Sequence, residues 1–169
     1  MSKAYKATIL SIGTRMVEAV QAARVLESRY PDLAVTVADA RFMKPLDENM
    51  ISQLAMESDV LVTIEEGSKG GFGDAVMNFL SNAGLLDNGN LRARTMVIPD
   101  IWIEQGPIPD QYDIAGLNEP HIVVKVEDLV QGIRDHRVRS ASARIVEIKA
   151  ESPVPQEPVR LPVSAPINQ

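Results

Sequence analysis

Two carboxylates stand side by side in this chain, Glu65 and Glu66, where the apolar run Val60-Leu61-Val62-Thr63-Ile64 gives way to a glycine-rich loop. Four glycines (Gly67, Gly70, Gly71 and Gly73) fall within the nine residues from Glu65 to Gly73. A run of β-formers ending in charge and glycine reads as a buried strand of a parallel sheet that opens, at its carboxyl end, into a loop. Such a loop can offer carboxylates to donors or cations, and its glycines let another backbone come close. Both features cost folding free energy, because glycine loses the most backbone freedom and charge near a sheet end must be solvated or paired. The pattern fits a surface that something else touches. It also fits a loop that only turns a corner, since tight strand-to-helix connections favour glycine.

Two further segments carry chemistry. Ser11-Ile12-Gly13-Thr14 closes an apolar run and precedes a helical pattern, so Gly13 and Thr14 could seat an anion on converging backbone amides. Thr14 could equally act as an ordinary helix cap. Arg41 and Lys44 lie beside Asp39, beyond another apolar run, and can pair with Glu65 and Glu66 from the adjacent strand across the mouth of the sheet. Such a cluster either shapes the loop or binds a ligand.

Several chemistries are excluded. Lys69 precedes Gly70 instead of following the last glycine, which defeats a P-loop, and Val76 stands where a dinucleotide-binding loop needs its third small residue. Ser11-Ile12-Gly13 occupies the place where a phosphorylated receiver would carry acids. His121 and His136 have no ligand spacing between them and read as surface histidines. With no cysteine there is no disulfide, thiol nucleophile or thiolate metal site. No nucleophile with a base emerges, so no catalytic, cofactor-binding or metal-ligating residue is assigned.

The elements that must position these residues follow from the periodicity. The 169 residues suit one domain with a tail, and the 45% hydrophobic content suits a globular core. Residues 134–169 hold six basic and four acidic residues, +2, which leaves −8 on the body. An acidic body repels a nucleic acid backbone, so nucleic acid is not an expected partner. The start of the chain lacks the apolar core of a secretory signal, and no run reaches membrane-spanning length, so a cytoplasmic protein without membrane contact is expected.

Strands are predicted over Ala7 to Ile12, Leu33 to Ala38, Val60 to Ile64 and Met96 to Ile98. Between them run helical patterns: one through Val17, Val20, Ala23 and Leu26, one capped by Asp47, and one through Phe72, Val76, Phe79 and Leu80. A short helical turn at Asp113 to Ala115 precedes a final helix that Asn118 caps. This alternation predicts an α/β fold, a three-layer and mostly parallel doubly wound sheet, over residues 1–135. Residues 136–169 read as a basic and then proline-rich tail, disordered or extended, with a faint alternation at Arg144 to Lys149 that would suit an edge strand.

Three segments then match a known pattern in order and spacing. They are Asp39-Ala40-Arg41-Phe42-Met43-Lys44-Pro45-Leu46-Asp47, then Thr63-Ile64-Glu65-Glu66-Gly67 with Gly70-Gly71-Phe72-Gly73, then Pro99-Asp100 with Ile103-Glu104 and Gly106. Together with Ser11-Ile12-Gly13-Thr14 they resemble the C-terminal domain of the 1-deoxy-D-xylulose-5-phosphate synthase family, over residues 6–134. These are transketolase-like enzymes that use thiamine diphosphate. The resemblance implies a transferase that condenses pyruvate with glyceraldehyde 3-phosphate for isoprenoid precursor synthesis.

In that family thiamine diphosphate and magnesium are held by the two preceding domains, through a Gly-Asp-Gly segment and a glutamate that have no counterpart here. The resemblance therefore implies a structural, dimer-supporting domain, inactive alone, whose partners are the thiamine-binding domains in the same or a separate chain, within a homodimer. Arg41, Glu65, Glu66, Gly70, Gly71 and Phe72 are the expected contact residues. Gln105 stands before Gly106 where the family usually has histidine, and glutamine cannot titrate near neutral pH. The alternatives are a stand-alone binder of small anions at Gly13 and Thr14, or the corresponding domain of another transketolase-like or 2-oxoacid dehydrogenase subunit.

Overall fold

The computed structural model describes residues 3–151, and the proline-rich tail expected beyond them lies outside the described residues. The chain divides into two compact units, Met1–Arg134 and Asp135–Gln169. The first holds the sheet, built from β1 (Tyr5–Ser11), β2 (Leu33–Asp39), β3 (Val60–Ser68) and β4 (Arg92–Ile98). The helices are α1 (Met16–Arg29), α2 (Glu48–Glu57), α3 (Phe72–Asn82), α4 (Ile108–Ala115) and α5 (Glu119–Glu151). All four strands are parallel, in the order β2-β1-β3-β4, and helices cover both faces as the alternation predicts.

Alternate residues of the central strands feed two cores, because side chains switch face at every step along a strand. Ala7, Ile9, Val60, Val62 and Ile64 pack with α1 and the buried side of α5, through Ala19, Ala22, Leu26, Ile122, Val126 and Val130. Leu10 and Leu61 face the other way, onto Ile51 and Ala55 of α2 and Phe72, Val76 and Leu80 of α3. β1 and β3 are apolar on both faces, which is why they read as unbroken runs.

Four local expectations change. Helix α1 buries Ala19, Ala22, Ala23 and Leu26, while Val17 is 61% exposed, so its sheet-facing stripe is not the one through Val17 and Val20. A 3₁₀ turn at Gly13–Arg15 precedes it, and three residues per turn instead of 3.6 shifts the phase of the helix. Thr14 does not cap α1: Arg15 holds that position and makes no side-chain cap. Asp47, by contrast, caps α2, accepting from the Met50 amide at 2.9 Å.

The last helix also differs at both ends. The Asn118 side chain donates to the Pro109 carbonyl at 3.1 Å, and Glu18 of α1 accepts the Glu119 amide at 2.8 Å instead. At its far end α5 reaches Glu151, so Arg144 to Lys149 is helical and not an edge strand. No glycine or proline interrupts residues 134–151, and Arg, Ala, Glu and Lys all favour helix.

Candidate functional site

The carboxyl ends of the strands form one rim, and the two neighbouring acids of β3 are its floor. Successive residues of a strand face opposite ways, so Glu65 and Glu66 cannot serve the same site. Each goes to a different helix start.

Glu65 is 6% exposed and turns onto the first turn of α3. Its Oε2 accepts the Phe72 amide at 3.0 Å and its Oε1 accepts the Gly73 amide at 2.8 Å. A carboxylate on the unpaired amides of a helix N-terminus gains charge-assisted hydrogen bonds and the favourable end of the helix dipole. The glycines make the room: a Cβ at Gly67 would lie 2.6 Å from the Glu65 Oε2, and one at Gly71 would overlap the same carboxylate. The acid-and-glycine signature is thus largely an internal cap.

Glu66 turns to the other face. It accepts from the Thr14 hydroxyl in a short hydrogen bond and from the Tyr112 hydroxyl at 2.8 Å, and pairs with Arg15 Nε at 3.6 Å. Its Oε2 lies over Gly13, whose φ of 80° is one that L side chains rarely adopt. Arg15, itself 9% exposed, stacks on the Tyr112 ring at 3.7 Å and donates to the Thr14 hydroxyl at 3.1 Å and Asn118 Oδ1 at 3.5 Å. This network ties β1, β3, α4 and the start of α5 together.

Burial is the largest influence on Glu66 and favours the neutral acid, but the Thr14 and Tyr112 hydrogen bonds and the Arg15 charge outweigh it and lower its pKa. The hydrogen bond to Glu66, then burial and the Glu66 charge, push Tyr112 upward. A carboxylate held ionised beside a phenol held neutral makes a poor acid–base pair near pH 7. The arrangement binds structure together.

The other expected site residues separate. Arg41 is exposed, with φ 55°, and its guanidinium lies 3.9 Å from Asp39. It does not reach Glu65 or Glu66, because β1 lies between β2 and β3, and the strands that carry these residues are not neighbours. Phe72 is buried in the core at 1% exposure, so its ring does not face outward. Gly70 is exposed with φ 91°, and its amide donates to Asp74. At Gly13 and Thr14 an anion is seated, but it is the chain's own Glu66.

Arg15 and Tyr112 do not stand out in the sequence, and neither does an apolar set on the loops and the start of α4 at the same rim. Phe42 is 66% exposed, Ile101 57%, Trp102 89% and Ile108 66%. The signal available was the chain's single Trp, placed in the loop between Pro99-Asp100 and Gly106-Pro107 where no periodicity can bury it.

A parallel, doubly wound α/β domain whose two β3 carboxylates are engaged internally is the class that fold and site define. The sequence profile of the transketolase C-terminal domain matches residues 2–122, and the chain belongs to that family. A split-gene transketolase, described as an inactive β4 tetramer, is similar at 26% identity and a TM-score of 0.65. That likeness covers 77% of this chain and 41% of the other, so this chain spans about two fifths of that protein's length. Thiamine diphosphate with magnesium, the cofactor expected of the parent enzymes, does not fit this rim. Both β3 carboxylates are already used by amides, hydroxyls and Arg15, and no group of three or more His, Cys, Asp or Glu able to hold a metal occurs among the described residues.

Proposed function

We propose that this chain is the C-terminal supporting domain of a 1-deoxy-D-xylulose-5-phosphate synthase, working in the cytoplasm. It buttresses the thiamine-binding domains of that enzyme, in the same or a separate chain, and extends the contact of a homodimer. It has no turnover of its own. The supporting observation is the contrast on one rim: the two β3 carboxylates satisfied within the chain, and large apolar side chains at Phe42, Ile101, Trp102 and Ile108 left outside. Exposed aromatic and aliphatic side chains beside a rigid floor are what a permanent domain contact buries. Contact through Arg41, Gly70 and Gly71 belongs to the same reading; Glu65, Glu66 and Phe72 act beneath it.

The synthase, rather than another transketolase-like or 2-oxoacid dehydrogenase subunit, is favoured by the Asp39 to Asp47 segment. The stand-alone anion binder is disfavoured, because Glu66 fills the place at Gly13 and Thr14. Incubated with thiamine diphosphate, magnesium, pyruvate and glyceraldehyde 3-phosphate, the chain alone should form no deoxyxylulose phosphate. Adding the two thiamine-binding domains of the synthase should bring turnover. Turnover by the chain alone would refute the proposal. So would assembly with those domains that yields ketol transfer between sugars but no use of pyruvate.

A further inference from the structure

β4 ends the sheet, and among the described residues no strand pairs with its outer edge. In a parallel ladder, alternate residues bond to alternate sides. The Arg92 amide donates to the Asp59 carbonyl of the β3 side at 2.9 Å, so Arg92, Arg94 and Met96 bond inward while Ala93, Thr95 and Val97 direct N–H and C=O outward. An open edge invites pairing and is usually blunted. Here the blunting covers only the first half. Arg94 folds back to donate to the outward Ala93 carbonyl at 2.7 Å, and Arg92 reaches the Gly132 carbonyl of α5 at 3.0 Å.

The second half is left open over a groove of about 490 Å³. Thr95, Met96 and Val97 form one wall, and His121, Val124, Lys125 and Asp128, on one stripe of α5, form the other. Lys69, from the loop before α3, also lines it. His121 is held by Asp113 at 3.0 Å, but neither Lys69 nor Lys125 has an ion-pair or hydrogen-bond partner among the described residues. Two unpaired ammonium groups against one unpaired carboxylate give this groove a positive excess on a body that carries −8.

We propose that the open half of β4 receives an extended, acidic segment of a partner chain as an added strand. The outward N–H and C=O groups of Thr95 and Val97 would bond its backbone, Met96, Val97 and Val124 would take its apolar side chains, and Lys69 and Lys125 would take its carboxylates. This surface is separate from the apolar loops, so it stands whether or not the synthase assignment does.

Random peptides displayed on phage and selected against the full chain should enrich sequences that alternate Asp or Glu with β-branched residues. A synthetic peptide chosen that way should shift the amide resonances of Thr95 and Val97 and slow their exchange with solvent. Lys69→Glu combined with Lys125→Glu should weaken it about tenfold, the worth of two exposed ion pairs. Val97→Pro removes an outward N–H while leaving the ladder to β3 intact, and should abolish the shifts. The proposal falls if nothing enriches, if basic sequences enrich, or if the shifts lie elsewhere. It falls too if inorganic phosphate displaces the peptide, which would mark an anion site, or if the chain alone shifts these amides with concentration, which would make a second copy the occupant.

Discussion

The floor of the rim and its loops are built on opposite principles. On the floor, Glu65 and Glu66 are matched by amides, hydroxyls and a guanidinium from the same chain, so neither carboxylate is left seeking a partner there. On the loops after β2 and β4, Phe42 and Trp102 expose most of their surface and gain nothing from the fold of this domain. The first region holds the fold together, and the second is the one proposed for association. The difference teaches that charge density in a sequence does not by itself mark a contact surface, because buried charge must be satisfied and the cheapest donors are nearby backbone amides.

The comparison predicts that the two regions fail differently. Replacing Glu65 with Ala strips two buried amides of their acceptor, and the full chain should lose about 3 kcal/mol in urea unfolding. A loss below about 1 kcal/mol would mean that the α3 amides are satisfied without Glu65 and that the floor is not the stabilising region. Trp102→Ala should leave the urea midpoint of the chain within about 0.5 kcal/mol, since the side chain touches water. The same substitution should weaken assembly with the thiamine-binding domains about thirtyfold, as loss of an aromatic anchor does. A variant that unfolds the chain, or assembles normally, would erase the distinction between floor and loops.

The same division separates the features legible in the sequence from those hidden in it. Strand and helix periodicity located every layer, because burial on both faces leaves unbroken apolar runs and helix caps such as Asp47 act within four residues. The partners of Glu65 and Glu66 were hidden because they depend on strand order. Nothing in Asp39 to Lys44 says that β1 intervenes between β2 and β3, so Arg41 looked like a neighbour of acids it does not reach. Arg15 and Tyr112 are separated by almost the whole sheet in sequence, and only the tertiary fold stacks one on the other. Trp102 is visible as a composition signal, one Trp in a loop, but the neighbouring charges are the louder feature.

Within the floor, Glu66 offers a finer test. Glu66→Gln keeps the shape but cannot hold the charge that Thr14, Tyr112 and Arg15 favour, and should cost about 1.5 kcal/mol at pH 7. Because the folded state lowers the pKa of Glu66 below the ordinary 4.5, its contribution is complete above that value and drains away as pH falls through the lower, folded one. The stability difference between wild type and Glu66→Gln, followed by urea midpoints from pH 7 downward, should therefore shrink below about pH 4.5. A constant difference would mean that shape and not charge is what the network uses.

Tyr112→Phe should give the smallest effect and the opposite pH dependence. The ring, on which Arg15 stacks at 3.7 Å, is kept, and only the hydroxyl donated to Glu66 at 2.8 Å is lost. That hydrogen bond is partly open to solvent, so the cost near neutrality should be about 0.5 kcal/mol. Folding raises the Tyr112 pKa above the ordinary 10.0, first through the bond to Glu66, so the phenol contributes in full below pH 10 and loses its contribution as pH climbs through the folded value. Wild type and Tyr112→Phe should converge on the alkaline side, whereas wild type and Glu66→Gln converge on the acid side. If the Tyr112→Phe difference persisted as pH climbs past the folded value, the hydroxyl would not be held by Glu66, and the link between α4 and β3 would rest on the Arg15 stack alone.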